Sequence, residues 1–326
     1  MNRRDTVLAL LALGAAPVTA LAQQQGKIPR IGVLIPGSRT GFSPRIEALL
    51  QGLRDLGYVE GKTIAIEWRW ADSRVEELPR LAAELVGAGV DVIVTGGTPA
   101  TKALKNATRT IPIVVALFAD PVGAGLVESL ARPGGNVTGF SDFTPTLTGK
   151  RLEILSQVAP GTSRVAALLN SKNPNSRLEL DATRVAANTL GVQLLTFEAS
   201  DPNTLETAFA AMKKNRIRAH MVFTDPALYS QRDLIVDLAA RNQMLGIYPL
   251  PEYAQAGGLI SYGSDSKEFF RRAAIYVDKI LKGAKPGDLP IEQPIKFELV
   301  INLKTARSLG LTIPQSVLLR TDKVID

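Results

Sequence analysis

From residue 28 onward, short apolar runs alternate with longer segments whose apolar residues recur every three or four positions. Ile31-Gly32-Val33-Leu34-Ile35 is a largely β-branched run that stops at Pro36-Gly37, as a buried strand stops at its turn. Residues 45–56 place Ile46, Leu49, Leu50 and Leu53 on one helical face, and Gly57 ends the helix. Residues 63–70 alternate as a half-buried strand. A helix at 75–88, a strand at 90–95, a helix at 98–107 and a strand at 111–117 follow. The alternation then restarts, with helices at 149–158, 176–190, 203–215 and 230–241 and strands at 165–169, 192–196, 220–224 and 245–249. This pattern predicts an α/β fold of two similar halves, each a mostly parallel sheet flanked by helices.

The break between the halves is read at the glycine-rich residues 132–139 and the polar residues 141–148. The remainder is too short for a third domain. It holds an amphipathic helix at 267–282 ended by Gly283 and Pro286, a strand at 297–301 and a short helix at 304–309. Such a tail has to pack back onto both halves. An N-terminal lobe of residues 28–142 plus 263–290 and a C-terminal lobe of 143–262 plus 291–326 are therefore expected. A cleft lies between them, where strand carboxyl ends and helix amino ends converge.

The first 22 residues change the picture of where the protein works. Arg3 and Arg4 precede an apolar run at 7–16, and Ala20-Leu21-Ala22 supplies a small-x-small cleavage pattern, so residues 1–22 read as a signal peptide cut after Ala22, with export to the periplasm. The run is too short to cross a bilayer, which takes about 20 residues. Asp5-Thr6-Val7 makes a weak twin-arginine signal, and no Cys follows the run to carry a lipid anchor. The chain has no Cys at all, which excludes thiol chemistry and thiolate metal sites and leaves stability to packing. The formal charge of +7 is spread among acidic residues and does not read as a nucleic-acid footprint.

Enzyme signatures are sparse. The single histidine, His220, opens an apolar strand and reads as a satisfied structural imidazole. No G-x-S-x-G elbow, no G-x(4)-G-K-[ST] loop and no G-x-G-x-x-G follow a strand, and one His without Cys gives no metal cluster, so no catalytic residue, cofactor or metal is expected. A binding reading uses the residues better. Gly96, Gly97 and Thr98 lie between a strand and a helix, where backbone amides and the hydroxyl receive a carboxylate, or where Thr98 simply caps the helix. Asp120 and Asp225 each follow a strand and precede a proline, placed to accept an ammonium or hydroxyl group or to cap a turn. Asn170 follows the first strand of the second half. Tyr262, within Gly257-Gly258-Leu259-Ile260-Ser261-Tyr262-Gly263, either stacks on a flat ligand or is a core tyrosine.

Several stretches carry a family resemblance. They are Asp120-Pro121-Val122-Gly123-Ala124-Gly125-Leu126-Val127 with Ser129-Leu130-Ala131-Arg132-Pro133-Gly134-Gly135-Asn136-Val137-Thr138-Gly139, Gly52-Leu53-Arg54 with Leu56-Gly57-Tyr58-Val59-Glu60-Gly61, and Ile301-Asn302-Leu303-Lys304-Thr305-Ala306. In these the chain resembles the ABC transporter substrate-binding proteins of tryptophan/tyrosine-type uptake, which have the type I periplasmic binding protein fold. The resemblance covers nearly the whole mature chain. It implies two lobes closing over one small molecule, an amino acid or aromatic acid, and docking of a monomer on an inner-membrane ABC permease with a cytoplasmic ATPase. It implies no nucleic-acid partner. Family ligand contacts would map to residues 36–42, Gly96, Gly97, Thr98, Asp120, Asn170, Asp225 and Tyr262. A ligand sensor docking on a membrane receptor and a secreted α/β hydrolase are the alternatives.

Overall fold

The computed structural model describes residues 28–142, 144–294 and 296–326, so the expected export signal and its cleavage site lie outside the described residues. The first apolar run forms β1 (Arg30–Ile35), buried everywhere but at its first residue. It is followed by α1 (Arg39–Asp55), β2 (Ala65–Trp70), α2 (Leu78–Gly87), β3 (Val92–Thr95), α3 (Thr98–Ala107), β4 (Ile113–Phe118) and β5 (Val137–Ser141). These five strands make one parallel sheet in the order β2-β1-β3-β4-β5. The sheet's central strands are continuous apolar runs because helices cover both faces.

The second sheet begins after α4 (Thr144–Val158). Its strands are β6 (Arg164–Leu169), β7 (Gln193–Glu198), β8 (Ala219–Val222), β9 (Leu245–Tyr248), β10 (Ile260–Gly263), β11 (Glu298–Asn302) and β12 (Lys323–Ile325), in the order β12-β11-β10-β9-β8-β6-β7. Helices α5 (Asn175–Leu190), α6 (Pro202–Lys214), α7 (Pro226–Ser230), α8 (Arg232–Arg241) and α9 (Pro251–Gln255) connect them. All pairings are parallel except β10 with β11. After β10 the chain returns to the first sheet as α10 (Ser266–Leu281), then crosses again through Glu292, which bridges Phe140, to reach β11, α11 (Leu303–Ser308), α12 (Gln315–Leu318) and β12. Helix α10 lies on α1, with Gly52 at the crossing, where a β-carbon would collide with the carbonyl of Arg271. The result is a two-lobed α/β protein.

Three differences from the sequence reading have local causes. The glycine-rich residues 132–139 are not wholly a connection, because β5 begins at Val137. Gly139 takes φ 138° within that strand, and a β-carbon there would overlap the Val115 carbonyl, so the glycine that suggested a loop is what lets β5 pack. Helix α1 starts six residues before position 45. Ser38 caps it, its Oγ accepting from the Gly41 amide at 3.1 Å, and the buried Phe42 holds the extra turn despite Pro44. The helix expected at 230–241 begins at Arg232, and a separate short α7, capped by Asp225, precedes it.

A candidate ligand site between the two sheets

The ends of both sheets face a cavity of about 40 Å³ that opens partly to solvent. From the first lobe it is lined by Phe42 and Arg45 on α1, by Gly96, Gly97 and Thr98 after β3, by residues 117–119 at the end of β4, by Asp142 after β5 and by Phe270 on α10. From the second lobe come Asn173 and Asn175, Thr224, Asp225, Pro226 and Tyr229 around α7, and Leu250.

Arg45 dominates the electrostatics and was not singled out in the sequence. It is 5% exposed and held among aromatic rings, its guanidinium carbon 3.4 Å from the Tyr229 ring centroid, 5.1 Å from Phe42 and 5.8 Å from Phe270. Nε donates to Ser266 Oγ at 2.9 Å, and Glu252 Oε1 stands 3.9 Å away. Nη2, also buried, has no hydrogen-bond partner. Rings stabilise a desolvated cation by about 2 kcal/mol, but an unsatisfied buried donor costs about 1–3 kcal/mol. A carboxylate in the cavity would remove that cost. The sequence signal was weak: Arg45 follows Pro44 at the start of the helix expected at 45–56.

Helix α3 adds a second anion-friendly element. Gly97 adopts φ 87°, its amide donates to Leu117 O at 2.7 Å, and the first helical bond runs from Thr101 N to Gly97 O at 3.2 Å. The Thr98 and Ala100 amides therefore precede any intrahelical acceptor, and Pro99 has none to place. Gly97 also touches the other lobe, since a β-carbon there would lie 2.8 Å from Pro226 Cγ.

The remaining residues expected from sequence divide. Asp225 lines the cavity, yet Oδ1 caps α7 through the Ala227 and Leu228 amides at 2.8 and 2.9 Å, while Oδ2 accepts from Asn170 at 3.2 Å and Asn173 at 3.0 Å. Burial raises its pKa, and those four bonds work against the rise. Asn170 does not line the cavity and acts on Asp225 from behind. Asp120 is also outside the cavity lining, where its Oδ1 accepts from the Gly123 amide at 2.8 Å and fixes the turn after β4. Tyr262 points away from the cavity. It packs on the second-lobe core 6.2 Å from the Phe297 ring, and its carbonyl accepts from Arg151 Nε at 2.8 Å.

Behind the second-lobe wall lies a buried pair that the sequence reading missed. Glu179 accepts from Asn175 Nδ2 at 2.7 Å, Thr148 Oγ1 at 3.1 Å and the Thr224 amide at 3.0 Å, with Arg151 Nη1 3.9 Å away. Burial pushes its pKa up to about 8, against the pull of Arg151. The available signal was Glu179 on the stripe Ser176, Thr183 and Ala187, which helical spacing buries. His220 is structural but not satisfied as expected. It lies edge-on to Phe209 and Tyr248 with neither ring nitrogen bonded. Among the described residues no cluster of His, Cys, Asp and Glu could hold a metal, and no helix is long and apolar enough to cross a membrane.

Two α/β lobes with a cavity between their sheet ends define the class of the type I periplasmic binding fold. The chain belongs to the ABC transporter substrate binding protein family, whose model matches residues 30–325. It is 27% identical over 327 residues to a tyrosine-binding protein of Clostridioides difficile (strain R20291), covering 95% of this chain and 94% of that protein. The crystal structure of a Streptococcus pneumonia ABC domain in complex with L-Trp is 29% identical, with TM-score 0.83 over 92% of this chain and all of that one. A conserved domain protein from Vibrio cholerae is also 29% identical, with TM-score 0.84 over 91% of this chain.

Proposed function

We propose that the protein is a non-catalytic periplasmic receptor of an ABC importer that binds an amino acid or aromatic acid in the cavity between its lobes. The observation that carries this reading is Arg45, whose buried Nη2 has no partner in a cavity that sets apolar Phe42, Phe270 and Leu250 beside polar side chains from both lobes. The ligand carboxylate meets Arg45, with the Thr98 hydroxyl and the open amides of α3 beside it, and the apolar body lies against Phe42, Phe270 and Leu250. The names of the relatives, one a tyrosine-binding protein and one solved with L-Trp, support the aromatic amino acids as first candidates. Lobes of residues 28–142 plus 263–290 and 143–262 plus 291–326 close on the ligand and dock on an inner-membrane permease, after export and removal of residues 1–22. Binding energy drives this change only as far as the ligand favours the closed form over the open one.

Release of bound small molecules from natively purified protein, identified by mass spectrometry, followed by calorimetric titration, tests the reading. Arg45→Met is expected to weaken a carboxylate ligand roughly 10- to 100-fold, the worth of a charged hydrogen bond. Unchanged affinity would remove Arg45 from the site.

A further inference from the structure

The first-lobe wall supplies donors, while the second-lobe wall carries acceptors that nothing in the protein uses. Asn175 is 3% exposed. Its Nδ2 donates to Glu179 Oε1 and its backbone amide donates to Asn173 Oδ1 at 3.1 Å, but its buried Oδ1 has no hydrogen-bond partner. Glu179 Oε1 also takes the Thr224 amide at 3.0 Å and Oε2 lies 3.1 Å from Thr148 Oγ1, so with Glu179 ionised, or with its proton on Oε2 toward Thr148, Oε1 is an acceptor and meets the NH₂ of Asn175. Thr224 Oγ1 is likewise buried without a partner, and both residues line the cavity.

Asp225, the obvious carboxylate for a cation, is closed to this task. A carboxylate offers about four lone-pair positions, and the two backbone amides and two asparagine NH₂ groups described above take four. Asn170 and Asn173 are spent on it. The first-lobe carboxylate Asp142 also lines the cavity and is already engaged, so on the second-lobe wall Asn175 Oδ1 and Thr224 Oγ1 remain, on the lobe opposite α3 and Arg45.

Resting on the ligand-site reading above, we infer that Asn175 Oδ1 and Thr224 Oγ1, with Glu179 as the positioning residue that orients Asn175, receive the protonated amine of the ligand. They set a preference for α-amino acids over the corresponding desamino acids. An ammonium group supplies three donors to acceptors that no group of the protein pairs, whereas a desamino ligand brings none. Sites built to bond an N–H reject analogues that lack it far more strongly than apolar pockets reject a missing methylene.

Calorimetric titration of the purified protein with L-tryptophan and L-tyrosine, each beside its desamino counterpart, 3-indolepropionate or 3-(4-hydroxyphenyl)propionate, tests this. The expected result is a preference of roughly 100-fold or more for the amino acid of a pair. Thr224→Val, which keeps shape and the backbone bond to Glu179, should cut that preference about tenfold while desamino binding holds, and Thr224→Ser should restore it. Asn175→Leu should cut it further. Glu179→Gln, whose amide oxygen still accepts from Asn175, should keep it. If the desamino acids bind as tightly as the amino acids, or Thr224→Val weakens both alike, the amine assignment is overturned and the ligand site stands. If neither member of either pair binds, both readings fall together.

Discussion

The amide of Ser38 donates to Ser230 Oγ at 3.1 Å, joining the cap of α1 in the first lobe to the end of α7 in the second. Around this bond the lobes touch through atoms that leave almost no room. Arg232 Nη1 donates to the Gly41 carbonyl at 2.6 Å, and Phe42 meets Tyr229 edge-on at 5.2 Å. A β-carbon on Gly41 would stand 2.8 Å from Ser230 Cα, and one on Gly37 would overlap the Ser230 hydroxyl. Small residues at 37 and 41 therefore set how close α7 can come to α1.

Gly41→Ala is expected to favour the open arrangement. Alanine suits a helix better than glycine; within the first lobe its β-carbon meets the movable Ser38 hydroxyl at 2.9 Å, whereas the clash with the Ser230 backbone exists only when the lobes meet. Overpacking of this kind costs about 1–3 kcal/mol, which predicts a ligand affinity lower by roughly tenfold to a hundredfold. A larger radius of gyration by X-ray scattering should accompany it. Wild-type affinity and radius would mean that the contact has no part in closure.

His220 makes the lower end of the stability profile predictable. Burial depresses its pKa from 6.5 to about 4. The unfolded chain thus binds a proton that the folded one refuses. Stability from this group is complete above pH 6.5 and is lost as pH falls toward about 4, by about 3 kcal/mol in all. His220→Phe keeps the ring among Phe209 and Tyr248 and removes two unbonded nitrogens. The variant should match or exceed wild-type stability at neutral pH and lose less between pH 6.5 and 4. An unchanged acid slope in denaturant titrations would show that His220 is not the group responsible.

The order of strands and helices was legible because each run carries its period: Ile31 to Ile35 could only be a buried strand, and Thr98 to Ala107 matches α3 at both ends. The strand β5 was hidden because Gly139, required by its approach to Val115, looks like a loop residue. The site was half legible. Gly96, Gly97, Thr98 and Asp225 stand at strand ends, where sequence and topology agree. Arg45, Asn175 and Thr224 became visible only as buried atoms lacking partners, a property of three-dimensional packing that no spacing encodes. Tyr262 failed as a wall residue because strand alternation leaves open which face of β10 meets the cavity, and it pairs with Leu299 over the second-lobe core.

Glu179 should shape the upper end of the same profile with the opposite sign. Its folded pKa of about 8 lies above the ordinary carboxylate value of 4.5, so the folded chain holds a proton that the unfolded one has released. Stability from this group is complete below pH 4.5 and is lost as pH rises toward about 8. Glu179→Gln should flatten that loss, since glutamine keeps an acceptor for Asn175 without a charge to desolvate. Arg151→Met is the harsher change. It removes the charge partner 3.9 Å away, together with the bonds from Nε to Tyr262 O and from Nη2 to Pro249 O. Breaking one side of a buried pair costs about 3–5 kcal/mol. The loss should grow above pH 8, because without the pull of Arg151 the buried Glu179 stays protonated to still higher pH than in the wild type, and the double variant Arg151→Met/Glu179→Gln should recover part of it. Thermal unfolding of the four proteins between pH 4 and 9 measures all of this, and additive effects of the two substitutions would show that Arg151 and Glu179 do not act as a pair.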